Sequence, residues 1–513
     1  MSPLARNALN PAIEGLQLEV REAWENLDYQ KGFHLLERAV RKNPGNPDLL
    51  LNLAHAYLAR YEFTTAERHI EKAVKLSANP ARTLEDAGQI CLGLQNVEMA
   101  FRYFKRARKK GQVSIGTLLN LADMCIRDKR LEEAAEFLAT ADPRDPRVRF
   151  ELADLRRAQG KTSEAETLLR DVLSNPLADS NARVRAFYAL GGILDAAGQY
   201  DAAMAAWREA KAIYSPHAAP HIADRQIMQS RAAEMEKTIT TDVLDRWRAD
   251  AAKLQPTRRI ALLCGHPRSG TTLLEQVLDA HSDVISAEET QLMHDEAYLP
   301  LIRELPEGTD ILPAFDSASP AVIARSRNNY FRCANLYLGR PIGSRLLLDK
   351  NPALNLLIPL VARVFPEAKF LVALRDPRDV IMSCFMQALP LTPVSSTYLS
   401  LDTAVKQYAN VMGFWLEMRP RMGNQWKEVR YEEMVEDLPS VARSTLEFLG
   451  LAYEENVLKF YEHARMKRVL SPSHADVKKP LYRTAVGRWR NYEKYLEPYL
   501  PVLERFINEF KYQ

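Results

Sequence analysis

Four helical segments recur at one fixed interval. Gly32 (in QKGFHLLERAV), Ala66 (TTAERHIEKAV), Ala100 (EMAFRYFKRAR) and Ala134 (EEAAEFLATAD) stand 34 residues apart in turn. Two looser copies follow at Ala165 and Ala203. Each small residue holds the same place in an amphipathic pattern, where a large side chain would force two helices apart. A helix pair of this length has an apolar stripe that it cannot bury alone, so successive pairs must stack. Tyr57, Tyr61 and Phe63, and Phe101, Tyr103 and Phe104, therefore read as inter-helix packing. Pro44, Pro47 and Pro80 fall near repeat ends, where a helix is expected to stop. A stacked array of this kind also offers an inner face able to hold a peptide or partner.

The period fades beyond residue 220. Residues 221–256 read as polar and helical and end at Gln255-Pro256. The expected domains are thus a helical array over 1–220, a helical linker over 221–256 and a second domain over 257–513. There the pattern changes. Ile260–Cys264, Arg345–Leu348, Phe370–Leu374 and Trp426–Arg430 are strand-length apolar runs between helical segments. Strands alternating with helices predict an α/β domain with a parallel sheet. Polar residues follow each run at once: HPRSGTT, DKNP, RDPRD and YEE. Ligands of such sheets gather at the carboxyl ends of the strands, so these four segments converge on one expected site.

The first of them is the most specific. After Ile260–Cys264 comes Gly265-His266-Pro267-Arg268-Ser269-Gly270-Thr271-Thr272, and then Leu273, Leu274, Val277 and Leu278 at helical spacing. Strand, tight loop and helix N-terminus together make an anion cradle, because unpaired backbone N–H groups and the positive helix end point to one place. Arg268 adds a fork of donors and Ser269, Thr271 and Thr272 add hydroxyls. A nucleotide-kinase loop would need Gly-Lys-Ser/Thr, and no Lys is present. A kinase or hydrolase using this loop also lacks a clear magnesium-holding carboxylate.

Residues 265–290 resemble the 5′-phosphosulfate loop of sulfotransferases, above all tyrosylprotein sulfotransferases and bacterial tetratricopeptide-repeat sulfotransferases. Pro267 through Thr272, Asp279-Ala280-His281 and Glu288-Glu289-Thr290 stand in that family's order, and the likeness runs on to near the C-terminus, about half the chain. The 34-residue period is likewise the tetratricopeptide pattern. The resemblance implies a P-loop-like sulfotransferase domain that takes its sulfuryl group from 3′-phosphoadenosine 5′-phosphosulfate. Pro267, Arg268, Ser269, Gly270, Thr271 and Thr272 would bind the 5′ end. Arg375 and Ser383 match the two 3′-phosphate positions, while Gln387 stands where tyrosylprotein sulfotransferases carry a further Arg. Lys350 matches the Lys that steadies the leaving phosphate oxygen, and Glu289 matches the catalytic base. Tyr431 matches a nucleotide-contacting Tyr. Aligning Pro480 and Trp489 with the family's Lys-Pro…Trp puts Ser473 on a transition-state Ser and Arg488 on a phosphate contact.

Several alternatives stay open on the residues alone. His266 and His281 rival Glu289 as base, and Glu288 or Glu289 would serve equally as helix-capping carboxylates. Lys350 also reads as an exposed turn residue, and Arg-Asp-Pro-Arg-Asp as a solvated ion-paired turn. An interaction scaffold with an inactive second half is a further reading. The acceptor is expected to be a hydroxyl. The likeness favours a protein or peptide tyrosine held by the repeats over a saccharide, lipid or small phenol.

Composition narrows the partners. The net charge of +3 gives no field for nucleic acid or a membrane surface. Five scattered cysteines without CxxC spacing fit a reducing compartment and no zinc site, and no metal is expected. The N-terminus has no apolar signal core and no run of 18 apolar residues occurs. Tyrosylprotein sulfotransferases are Golgi membrane enzymes; the expectation here is cytoplasmic, as for the bacterial relatives.

Overall fold

The computed structural model describes residues 11–25, 29–302, 311–466, 481 and 485–512. The chain forms two compact units, Met1–Ala178 and Asp179–Gln513.

The first unit is helical repeats. Its paired helices include Pro47–Ala59 with Phe63–Leu76, Pro80–Gly93 with Val97–Lys110, and Pro146–Ala158 with Thr162–Ser174. Ala66, Ala100, Ala134 and Ala165 are fully buried at the helix crossings. At Gly32 an added Cβ would land on the Trp24 indole. Tyr103 and Phe104 lie in the core, and Phe33 meets Tyr57 edge-on at 5.0 Å. Pro47 and Pro80 do not end helices, as the sequence reading expects. Each is a first helical residue behind an Asn whose side chain caps the free N–H groups: Asn46 for Asp48 and Leu49, Asn79 for Arg82. Proline fits there because its φ is preset and the N–H it lacks would be unpaired anyway.

The second unit begins earlier than the expected boundary at 220. The helix pair Ser180–Ala196 and Tyr200–Tyr214, which carries the last repeat-like copy at Ala203, folds with it. The stretch expected as a helical linker is helical, over Ala219–Thr238 and Thr241–Ala249, and falls within the second unit. At the centre is a sheet of five parallel strands: β1 (Ile260–Gly265), β2 (Val284–Glu288), β3 (Leu346–Lys350), β4 (Lys369–Leu374) and β5 (Trp426–Arg430). Their order is β2-β3-β1-β4-β5. β2 is a strand that the sequence reading does not include. Ala261, Leu263, Leu348, Leu371 and Ala373 face one side of the sheet, against the helix Thr271–Asp279 and the segment 434–460.

This topology positions the site. The chain leaves β1 toward β2 on one side, whereas β4 leads to β5 on the other. β1 and β4 are neighbours, paired from Ala261↔Lys369 to Gly265↔Ala373. The crevice between their carboxyl ends is therefore the switch point where such sheets take ligands.

Candidate active site

The loop after β1 is shaped by two close approaches. Gly265 has φ 137°, and a Cβ there would stand 2.5 Å from the Ala373 carbonyl on β4. Gly270, at φ 92°, would press on the Tyr431 ring at 2.7 Å. Arg268 lies between them at φ 71°, which costs a non-glycine residue about 1 kcal/mol. Its contacts hold it there. The Arg268 Nε donates to Ser383 Oγ at 3.1 Å, and its carbonyl accepts from Arg375 Nη1 at 3.3 Å. Ser269, Thr271 and Thr272 are buried, and the helix Thr271–Asp279 opens immediately behind the glycine.

Arg375 follows β4. It donates through Nη2 to the Ala485 carbonyl at 2.5 Å, lies 3.7 Å from Asp379 and stacks on Tyr431 at 5.0 Å. Its Nε is buried with no partner among the described residues. Asp379 in turn accepts from the Gly487 and Trp489 N–H groups at 2.7 and 2.8 Å, and burial pushes its carboxyl up. Asp376 caps the helix Pro377–Phe385 and clasps Arg378 through two bonds of 2.9 and 2.7 Å, while Arg378 stacks on Trp489 at 3.9 Å. The run Arg375-Asp376-Pro377-Arg378-Asp379 is thus a buried network, not a solvated turn.

Lys350 and Glu289 lie on the other side of β1 from Arg375. Lys350 is the last residue of β3 and registers with Leu263 on one side and Glu288 on the other. Its ammonium is 0 % exposed and meets Glu289 Oε1 at 2.7 Å, Glu288 Oε1 at 3.4 Å and Glu275 Oε2 at 3.5 Å. Burial alone pulls its pKa down; Glu275, Glu289 and Glu288 outweigh that and hold it above the ordinary lysine value. Glu289 alone of the three reaches solvent, with a side chain 38 % exposed. Its φ of 48° is fixed by its N–H bond to the Lys350 carbonyl at 2.7 Å, and Asn351 Nδ2 donates to the Thr290 carbonyl at 3.1 Å. Glu288 ends a strand, so neither glutamate caps a helix, and Lys350 is no exposed turn residue.

The two rival bases have other surroundings. His266 is buried, its Nδ1 on the Pro267 carbonyl at 2.9 Å, its ring between Tyr398 and Tyr408 at 6.1 and 5.1 Å. Burial brings its pKa down to about 4. His281 uses both nitrogens: Nε2–H donates to the Ala452 carbonyl at 2.8 Å and Nδ1 accepts from the Asp283 N–H at 3.0 Å.

Of the remaining sequence candidates, Pro267 accepts from Cys384 through its carbonyl at 3.5 Å, and Tyr431 lies under Arg375. Arg488 forms an ion pair with Asp195 on the helix Ser180–Ala196. Gln387 is half-buried after the helix that carries Ser383. Ser473 lies outside the described residues. Sequence reasoning missed Glu275, which falls among the polar positions of its helix, and Ser286, whose Oγ donates to Glu275 Oε1 at 2.7 Å.

A parallel sheet thus has a glycine-bounded loop at its switch point and a lysine–glutamate cluster beside it. Residues 261–455 match the sulfotransferase family, and residues 23–84 and 126–183 match the tetratricopeptide repeat. The chain carries a sulfotransferase-family domain behind tetratricopeptide repeats. It is 25% identical over 452 residues to an uncharacterised protein of Aquifex aeolicus (strain VF5), covering 86% of this chain and 57% of that one. It is 29% identical over 208 residues to a putative protein-tyrosine sulfotransferase of Caenorhabditis briggsae, covering 39% of this chain and 68% of that one. Against protein-tyrosine sulfotransferase 1 of Danio rerio it is 27% identical over 245 residues, 44% of this chain and 64% of that one. The chain thus spans little more than half the length of the Aquifex relative. Among the described residues no helix is long and apolar enough to cross a membrane.

Proposed function

We propose that the second unit moves a sulfuryl group from 3′-phosphoadenosine 5′-phosphosulfate to a hydroxyl acceptor. The observation that carries this reading is the convergence of Arg268, Arg375 and Ser383 with the Lys350–Glu289 pair on one sheet edge. The residues fit a donor with two anionic ends. Pro267 to Thr272 cradle the 5′ end. Arg375, with Nε unengaged, and Ser383 take the 3′-phosphate, and Tyr431 lies against the nucleotide. Arg488 joins them only by leaving Asp195, and Ser473 belongs to the same reading. A sulfuryl group carries less charge than a phosphoryl group, so arginine and lysine suffice and no metal is invoked.

The chemistry follows from the pair. As the acceptor oxygen bonds to sulfur, its proton passes to the Glu289 carboxylate. The bond from sulfur to the 5′-phosphate oxygen breaks, and its electron pair stays on that oxygen. Protonation removes the charge that holds the nearest N–H of Lys350, which becomes available to the leaving oxygen at the moment its charge develops. A phenol, with a pKa near 10, yields its proton to a carboxylate more readily than an alkyl alcohol. The relatives named for protein tyrosine also favour a protein or peptide tyrosine as the acceptor, held by the repeats. All five cysteines are described and none forms a disulfide, which supports a cytoplasmic setting.

The test offers labelled donor to the purified chain with a tyrosine peptide, a small phenol, a saccharide and a lipid, with Glu289→Gln in parallel. Transfer to the peptide, reduced by about 100-fold or more in the variant, is the expected result. Transfer that Glu289→Gln leaves unchanged removes the base assignment. Transfer to another acceptor corrects the substrate class. No nucleotide binding and no transfer return the chain to the scaffold reading.

A further inference from the structure

The Lys350 ammonium has three N–H donors and three carboxylates around it, but the carboxylates are unlike. Glu289 is the nearest and partly exposed, on a loop residue. Glu288 sits at the strand end. Glu275 comes from a different element, the helix Thr271–Asp279, and its side chain is wholly buried. Its Oε2 faces Lys350 at 3.5 Å, while Oε1 accepts from Ser286 Oγ at 2.7 Å. Ser286 is itself pinned, its N–H bonded to Asp279 Oδ1 at 2.7 Å. A carboxylate oriented this way on one oxygen presents the other in a fixed direction. The same helix opens at Gly270, so the carboxylate and the anion loop share one rigid element.

We infer that Glu275, oriented by Ser286, is a positioning residue that keeps Lys350 charged and in place while Glu289 exchanges the ammonium for the acceptor proton. The inference rests on the proposed function for the roles of Lys350 and Glu289. Its logic is electrostatic. Once Glu289 is protonated, a buried ammonium without another counter-ion would tend to lose its proton or withdraw toward water. Glu288 approaches at 3.4 Å from the strand end next to β3, whereas Glu275 comes from the helix, held by Ser286. With Glu275 in place, the ammonium remains where the leaving oxygen needs it. The other titratable groups nearby are Asp349, which precedes Lys350 and accepts from Tyr330 OH at 2.6 Å, and Tyr337, whose OH reaches the Glu288 carbonyl at 3.5 Å. Both lie within electrostatic reach of the ammonium, whose raised pKa comes from Glu275, Glu289 and Glu288.

The experiment follows the Lys350 side chain directly, in the full chain labelled with [ε-13C]lysine and assigned with Lys350→Arg. Glu275→Gln keeps the size and the acceptor for Ser286 but removes the charge. The Lys350 titration midpoint is expected to fall by about one unit or more. In the transfer assay the alkaline limb of kcat moves down with it, and kcat at its optimum drops by roughly tenfold while the donor KM stays. Ser286→Ala keeps the charge and loses the orientation, so it lowers kcat without moving the midpoint, and it decides the matter if Glu275→Gln does not fold. A Lys350 midpoint unmoved by Glu275→Gln overturns the inference, as does unchanged kcat in Ser286→Ala. A midpoint that moves in a chain that transfers to no acceptor leaves Glu275 as counter-ion and overturns the proposed function instead.

Discussion

His266 and Glu289 each follow a strand end of the same sheet, and their surroundings are opposite. Glu289 keeps a path to solvent and a cation beside it. His266 is enclosed by aromatic rings, with Nε2 lacking a partner among the described residues. Its pKa falls from 6.5 to about 4 because burial disfavours the charged ring. The sign of the linked stability follows. The unfolded chain takes up this proton near pH 6.5, whereas the folded chain resists until about pH 4. His266 therefore contributes stability fully above pH 6.5, and that is lost as pH falls to 4, by about 3 kcal/mol. His266→Phe fits an aromatic enclosure and does not titrate. It gives up the bond to the Pro267 carbonyl, worth about 1 kcal/mol, so it is less stable than wild type at pH 8. Denaturation from pH 8 to pH 4 should show the gap between the two proteins closing and then reversing. A gap constant with pH shows that His266 does not titrate as its burial requires.

At the scale of elements, the repeat period was legible because helix crossings admit only small side chains, and Ala66, Ala100 and Ala134 are fully buried at those crossings. Ala100→Leu adds three carbons where no space exists, and should cost about 1–3 kcal/mol of unfolding free energy. Leu177→Ala, at a side chain 82 % exposed, should stay within about 0.5 kcal/mol. Urea denaturation of both variants checks this; equal losses would remove the crossing argument. The anion loop was legible for a related reason: a glycine at each end of a strand–helix turn has few uses. β2 was not. Val284–Glu288 is five residues with serine at its centre, reached from the preceding helix through a short turn, and a run so short reads equally as loop. Glu275 was illegible because a polar residue on a helix ordinarily marks the solvent side. Only the packing of that helix against the sheet face of β1, β2 and β3 turns it inward, and pairing across three elements leaves no period in the sequence.

For the whole molecule, the boundary set by periodicity and the boundary set by packing differ, and the difference is testable. The helix pair with Ala203 has repeat-like spacing, yet its polar side chains are committed to the sulfotransferase half. Lys211 is buried, donates to the Tyr398 carbonyl at 2.6 Å and lies over Phe385 at 4.2 Å, and burial brings its pKa down to about 7. Asp195 receives Tyr492 OH at 2.6 Å as well as Arg488, and Asp201 receives Lys494 and Tyr495, each at 2.8 Å. Farther along, Trp247 Nε1 donates to Asp316 at 2.7 Å, and Arg421 Nη1 binds the Glu236 and Ile239 carbonyls at 2.6 and 2.8 Å. Removing residues 179–256 would leave these partners without their bonds and expose the Trp207–Tyr492 ring contact, at a cost of several groups at about 1–3 kcal/mol each. That sum exceeds the margin of an ordinary domain. A fragment of residues 179–513 is therefore expected to unfold cooperatively and to bind 3′,5′-bisphosphoadenosine within about threefold of the full chain, a difference under 1 kcal/mol. A fragment of residues 257–513, cut where the sequence pattern changes, is expected to lose the cooperative transition. Calorimetry on both fragments separates the two boundaries: equal transitions and equal binding would make the helices of residues 179–256 an attachment to the sulfotransferase fold, and loss confined to the shorter fragment makes them part of it.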